Sequence, residues 1–143
     1  MSERDYSATP LARKLGIEPG SLVAIAGAPS GFAETLGPLP EGAQFRTLRT
    51  ARLDVILLFV RQEAALHTAF RGALRKLDTA GGLWVVWPKR ASGVSTDLTF
   101  EVVQRIGLES GLVDNKIAAI DATWSGLRFV VRKEHREDWP PEG

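Results

Sequence analysis

The sequence predicts an open α/β fold: a mostly parallel sheet, helices on both of its faces, and an antiparallel hairpin at the C-terminal end. Three observations carry that reading. Two short, uninterrupted apolar runs, Leu22–Ala26 and Val55–Val60, fit strands covered on both sides. Two stretches with apolar residues at three- and four-residue spacing, about 62–78 and onward from Thr96, fit helices that each bury one face. The last two strand-like runs, Lys116–Ile120 and Leu127–Val131, are separated by six residues. That gap is too short for a helical crossover, so the pair should be antiparallel. Alternating strands and helices with a terminal hairpin give a three-layer arrangement.

Taken in order, Thr9-Pro10 reads as a cap and first helical position, giving a short helix Pro10–Leu15 closed by Gly16. Glu18-Pro19-Gly20 turns into the strand Leu22–Ala26, which is apolar on both faces and therefore central. Gly27–Gly31 is a loop, and Pro38 and Pro40 forbid a long helix in 32–42. Gln44–Arg49 fits an edge strand. If it runs parallel to 54–60, only Thr50–Leu53 return across the sheet, at most ~14 Å of chain. Either that strand is very short, or it is not parallel, or it is no strand.

Asp54–Val60 is the strongest strand. The helix after it, about Gln62–Asp78, aligns Leu66, Phe70, Ala73, Leu74 and Leu77 and should stop at Ala80-Gly81-Gly82. Leu83–Trp87 is a buried strand ended by Pro88. Thr96-Asp97 opens the second helix, with Leu98, Val102 and Ile106 on one face and Gly111 at its end. Trp124-Ser125-Gly126 reads as the tight turn of the closing hairpin, with Trp124 packed on the sheet. Residues 1–8 and 138–143 are polar or Pro-rich and expected to be loose, leaving a single domain with an ordered core of about 10–136.

The composition narrows the functional classes. The 143 residues are 44% apolar and 24% charged, the make-up of one domain able to bury a full core. Charge is balanced throughout, 8 basic against 7 acidic residues in 1–71 and 10 against 10 in 72–143, which argues against nucleic-acid binding. The absence of cysteine excludes disulfides, thiolate metal sites and a Cys nucleophile. His67 stands one place off its helix's apolar stripe and His135 lies in a charged run, so neither a Ser–His–Asp triad nor a metal site is expected. Val55–Val60 is far short of the ~18 apolar residues that cross a bilayer. Nothing apolar follows Met1-Ser2-Glu3-Arg4-Asp5, so the expected location is the cytosol.

In layout the chain resembles the S-adenosylmethionine-dependent methyltransferases. Residues Leu15–Gly20, the strand Leu22–Ala26 and the loop Gly27-Ala28-Pro29-Ser30-Gly31 are similar to that family's first motif, in which a Pro-Gly turn leads into a strand and a glycine-rich loop touching the cofactor. The closing hairpin is similar to the family's antiparallel sixth and seventh strands. The resemblance covers residues 10–133 and implies a Rossmann-like, methyltransferase-like fold lacking its middle strand–helix unit. Three positions depart from it. Ile25 and Pro29 stand where the family has an acidic residue and a second glycine. Between Gln44 and Leu53 there is no carboxylate to accept the ribose hydroxyls, only Arg46, Arg49 and Arg52, which read as solvated. S-adenosylmethionine is therefore disfavoured as a cofactor. The whole chain also resembles an uncharacterised family of small bacterial proteins, of the domain-of-unknown-function kind. That likeness rests on Gly27-Ala28-Pro29, Trp87-Pro88-Lys89, Ser92–Leu98, Val113–Lys116 and Asp121–Arg128. It implies the fold and a bacterial origin, and no activity.

Ligands of open α/β sheets bind at the carboxyl ends of the parallel strands. Three segments should meet there: the loop with Gly27, Pro29 and Gly31, the turn at Arg61, and the segment carrying Lys89, Arg90, Ser92, Ser95 and Thr96. The last has two cations and runs into a helix, so it suits a small anion; in the competing reading, Ser95 or Thr96 caps the helix and the cations are solvated. Asp114, Lys116 and Asp121 form a second polar group, with Asp114 and Lys116 on one face if the strand alternates regularly. No catalytic residue is assigned. The expected function is a non-catalytic binding or interaction module taking a small anionic ligand, with self-association left open. The alternative is a methyltransferase with an atypical cofactor pocket around Gly27, Gly31, Arg61 and Lys89.

Overall fold

The computed structural model describes residues 10–141. Among them the elements run β1 (Leu22–Ala26), β2 (Gln44–Arg46), β3 (Leu53–Phe59), β4 (Leu77–Pro88), β5 (Leu112–Ala119) and β6 (Trp124–Val131). The helices are α1 (Leu11–Lys14), α2 (Phe32–Leu36), α3 (Glu63–Leu74) and α4 (Phe100–Glu109). The six strands form one sheet in the order β2-β1-β3-β4-β6-β5. β1 pairs parallel with β2 and with β3, β3 pairs parallel with β4, and β6 runs antiparallel to both β4 and β5. This is the mixed, mostly parallel Rossmann-like sheet that the sequence predicts, with six strands.

The sheet separates two cores. Ile56 and Leu58 point toward Leu66, Phe70 and Ala73 of α3 and Val103 and Ile106 of α4. Val55, Leu57 and Phe59 point the other way, toward Ala12 of α1, Leu15 at its end, and Phe32 and Leu36 of α2. That two-sided burial is why the central strands are continuous apolar runs rather than alternating ones. The buried Trp84 side chain donates from Nε1 to the Leu15 carbonyl at 2.9 Å, fixing the end of α1 to the middle of the sheet. The Asp54 carboxylate accepts from the Leu22 N–H at 2.8 Å and aligns the start of β1.

β2 resolves the connection problem by being only three residues long. It ends level with Ala24, which is itself level with Ile56, so the chain steps back only to Leu53. Arg52 adopts a left-handed φ of 62° at that return.

Several boundaries differ from the sequence reading. α3 stops at Leu74, and residues 77–82, expected to finish and break the helix, already belong to β4. β4 is irregular there: β3 advances from Leu53 to Val55 while β4 advances from Leu77 to Gly82. A Cβ on Gly81 would stand 2.8 Å from the carbonyl oxygens of Leu53 and Asp54, and one on Gly82 would collide with the Arg128 guanidinium. These glycines permit close approach inside a strand; they do not terminate a helix. α4 begins at Phe100 rather than Thr96, and the short α2 fits ahead of Pro38 and Pro40, which forbid only a long helix there. Trp124-Ser125-Gly126 is the first part of β6. The hairpin turn is earlier, where Asp121 Oδ1 accepts from the N–H groups of Thr123 and Trp124 at 2.8 and 2.9 Å. At the chain ends, the expectation for 1–8 lies outside the described residues. Of the stretch 138–143, Trp139 is half-buried and donates to the Leu77 carbonyl at 2.8 Å. No helix among the described residues is long and apolar enough to cross a membrane.

Candidate functional site

Because β1, β3 and β4 are parallel, Ala26, Phe59 and Pro88 end on the same edge of the sheet, and antiparallel β6 begins there with Trp124. At this crest lies a cavity of about 770 Å³. Its floor is the turn Gly27-Ala28-Pro29, and its sides come from Phe59–Gln62 between β3 and α3, from Val94 and Ser95, and from Trp124. Gly27 has φ 76°, and a Cβ there would stand 2.6 Å from the Phe59 carbonyl oxygen. The β1 loop can turn this tightly against β3 only without a side chain. Phe59 meets Phe32 edge to face at 4.8 Å and Trp124 at 5.2 Å, so one wall is a packed aromatic group.

The segment from Lys89 to Thr99 is held by a short backbone turn at its start and beyond it by its own polar side chains. Lys89 N–H donates to the Thr123 carbonyl at 2.8 Å. Ser92 Oγ donates to the Lys89 carbonyl at 2.7 Å and accepts from the Val94 N–H. Thr96 Oγ1 donates to the Arg61 carbonyl at 2.6 Å and accepts from the Leu98 N–H at 3.0 Å. Asp97 Oδ1 accepts from the Glu63 N–H at 2.7 Å, so a carboxylate from this loop sits on the first turn of α3. Thr99, not Ser95 or Thr96, caps α4 by accepting from the Val102 N–H at 3.2 Å.

The residues expected to bind ligand are thereby sorted. Gly27, Pro29, Arg61 and Ser95 line the cavity. Arg90, Ser95 and Thr96 line a neighbouring hollow of about 400 Å³. Gly31 takes a left-handed φ of 87° at the N-cap of α2. Lys89 and Ser92 build the turn after β4. Sequence reasoning missed Phe59, Gln62, Val94 and the wall position of Trp124; the signal for Trp124 was the predicted antiparallel hairpin, which brings the start of its last strand to the crest.

The second polar group is dispersed. A bulge between Asp114 and Lys116 breaks the alternation that would have placed them on one face. Asp114 pairs with Phe129 and accepts from Gln104 of α4 on one side of the sheet; Lys116 pairs with Arg128 and reaches the Lys14 carbonyl at 3.0 Å on the other. Asp121 is occupied by the hairpin turn.

One group near the crest has a shifted acidity. The Glu63 carboxyl is held below its ordinary value of 4.5, chiefly by a hydrogen bond with His67 and further by Arg105. His67 Nε2 and Arg105 Nη2 lie 3.2 and 3.5 Å from Glu63 Oε2, on the α3–α4 surface rather than in the cavity. On the opposite side of the sheet, desolvation lowers the pKa of half-buried Arg128 over Gly82.

The fold is shared with several solved structures. A SAM-dependent methyltransferase from Aquifex aeolicus aligns over 85% of this chain and 88% of its own, with a TM-score of 0.61 and 12% identity. The fibrillarin pre-rRNA processing protein of Methanococcus jannaschii aligns over 85% and 73%, with a TM-score of 0.59 and 14% identity. The magnesium protoporphyrin IX methyltransferase of Synechocystis PCC 6803, solved with bound SAH, aligns over 85% and 78%, with a TM-score of 0.52 and 10% identity. At such identities the shared property is the fold. No family model matches the sequence, and no match was found among curated proteins.

Proposed function

We propose that this protein is an S-adenosylmethionine-dependent methyltransferase with an atypical cofactor pocket. The observation that carries the reading is the turn Gly27-Ala28-Pro29, which at Gly27 packs too closely on β3 for a Cβ and which lines a cavity of about 770 Å³ at the carboxyl ends of β1 and β3. Ligands of open α/β sheets sit in that position, and the volume is that of a small-molecule site. The same loop corresponds to the cofactor-touching segment of the family it resembles, and structural neighbours of the fold are methyltransferases. The bound cofactor would supply a methyl group activated by its sulfonium.

The fit is good at the β1 loop and poor at the ribose. β2 runs into Thr47, Leu48 and Arg49, none of which accepts from a pair of hydroxyls as a carboxylate does. Asp97 does not replace it, being held on the Glu63 N–H at the start of α3, on the far side of β1 from β2. The β1 loop would therefore hold the cofactor more than any contact at its ribose would.

The test is thermal unfolding with millimolar S-adenosylmethionine and S-adenosylhomocysteine. A ligand at about 100 times its Kd adds ~2.7 kcal/mol, which for a domain of this size raises the midpoint on the order of 5–10 °C. No shift with either compound overturns the reading. The second reading is then a non-catalytic module for a small anion, favoured by Arg61, the single charged residue among those lining the cavity.

A further inference from the structure

We infer that the crest cavity receives a monoanionic carboxylic acid with an apolar, ring-sized body, its carboxylate on Arg61 and its body against Pro29, Ala65, Val94 and Trp124. This deepens the proposal above: it rests on the crevice being the ligand site, and names the class of compound that site accepts, the methyl acceptor if the cofactor binds.

The lining has a simple chemical division. Pro29, Ala65, Val94 and Trp124 present carbon, and Arg61, Gln62 and Ser95 present polar atoms. One cation beside a hollow of mixed polar and apolar lining suits a ligand with one negative charge and an apolar body to lay against Val94, Pro29 and Ala65. The topology puts these groups together on one flank of the crest. Arg61 follows β3, Ser95 follows β4 and Trp124 begins β6, all on the opposite side of β1 from β2, leaving the β1 loop between them and the flank where a ribose would lie.

The backbone at Arg61 is fixed. Its carbonyl accepts from Thr96 Oγ1 at 2.6 Å, the neighbouring Val60 N–H donates to the Val86 carbonyl at 2.9 Å, and α3 begins two residues later. The guanidinium is exposed and, among the described residues, no carboxylate lies within 4.0 Å of it. A planar guanidinium launched from a rigid point matches a planar carboxylate through two parallel hydrogen bonds. A phosphate is disfavoured at the same place. The N–H of Glu63, which would join Arg61 in neutralising a second charge, already holds the Asp97 carboxylate at 2.7 Å, and that acid repels a dianion.

The experiment titrates the full chain with phenylacetate, phenylacetamide, acetate and phenyl phosphate, following backbone and indole N–H resonances by two-dimensional NMR. Phenylacetate should bind with a roughly millimolar Kd and shift Gln62, Ala65 and the Trp124 indole. The amide, which keeps the body, and acetate, which keeps the charge, should each bind about tenfold or more weakly. Arg61→Gln should remove that tenfold preference for acid over amide while leaving the unfolding midpoint unchanged, because Arg61 is exposed. Equal binding of acid and amide overturns the inference. So do tighter binding of phenyl phosphate, shifts confined to the hollow around Arg90 and Thr99, and no saturable shift with any probe. S-adenosylmethionine is titrated separately on the same sample. Acid binding without cofactor binding overturns only the methyltransferase reading; cofactor binding without acid binding overturns only this one.

Discussion

The two loops that meet over the crest are built by opposite means. The β1–α2 loop takes its shape from the backbone. Gly27 and Gly31 both have left-handed φ, Pro29 fixes another angle, and the chain lies directly against the Phe59 carbonyl. The β4–α4 loop takes its shape from side chains: Ser92, Thr96, Asp97 and Thr99 each hold a backbone group, and two of those bonds cross to the β3–α3 junction. A loop that must press on a neighbouring strand cannot carry side chains there. A loop that must span from the sheet to two helix N-termini needs polar atoms along its length. The first leaves a surface that a ligand can approach, and the second consumes its polar groups as scaffolding.

The comparison breaks most sharply at Gly27. Gly27→Ala adds a Cβ 2.6 Å from a main-chain oxygen at φ 76°, so it combines left-handed strain with a collision that no rotamer relieves. The expected loss is about 2–4 kcal/mol, read from denaturant midpoints, together with loss of ligand binding at the crest. A loss under about 1 kcal/mol would mean that the loop and β3 are not in contact. Next comes Asp97→Ala in the side-chain-built loop, which strips the acceptor from the first turn of α3. It should cost about 1–2 kcal/mol while leaving the β1 loop, read from the Gly27 N–H resonance, in place. Gly93→Ala separates strain from contact. Its φ of 79° is close to that of Gly27, but nothing lies within 4 Å of the added carbon, so only the conformational cost remains, about 1 kcal/mol. Equal costs at the two glycines would remove the distinction between the loops.

The same contrast explains what could be read from the sequence. The central strands were legible because burial on both faces leaves unbroken apolar runs, and the hairpin because six residues cannot hold a crossover. The helix-to-strand boundary at 75–82 was not. Leu77 continues the helical spacing from Ala73 and Leu74, and Gly81-Gly82 has the appearance of a stop. What requires those glycines is the Leu53 and Asp54 carbonyls and the Arg128 guanidinium, contacts that exist only after folding. Ser95-Thr96-Asp97 has the composition of a helix cap in the sequence, and Asp97 does hold a helix N-terminus, but that of α3, reached from more than thirty residues away in the chain. Arg61 was readable as a crest residue because a residue just after a central parallel strand stands there whatever the details. The bulge at Asn115, which parts Asp114 from Lys116, leaves no mark in the residue types on either side.

The smallest effect lies where the second loop lands on α3. Glu63 donates its N–H to the Asp97 carboxylate of that clamp, and its side chain bonds His67 one turn on and Arg105 of α4. Its carboxyl is held below the ordinary 4.5, first by the His67 hydrogen bond and then by Arg105. A carboxyl with a depressed folded-state value stabilises fully above its unfolded value, and that contribution is lost as pH falls through the folded one. The wild type should therefore lose stability more steeply than Glu63→Gln from about pH 5 downward, while at neutral pH the two differ by a small constant amount, because the pair is solvent-screened. Parallel denaturant midpoints for the two proteins from neutral to acid pH would show that the Glu63–His67–Arg105 group adds nothing, leaving the Asp97 clamp as the sole electrostatic tie at this end of α3. A slope that flattens in Glu63→Gln, and flattens no further when Asp97→Ala is added, places the acid sensitivity of the junction in the helix surface and not in the crest loop.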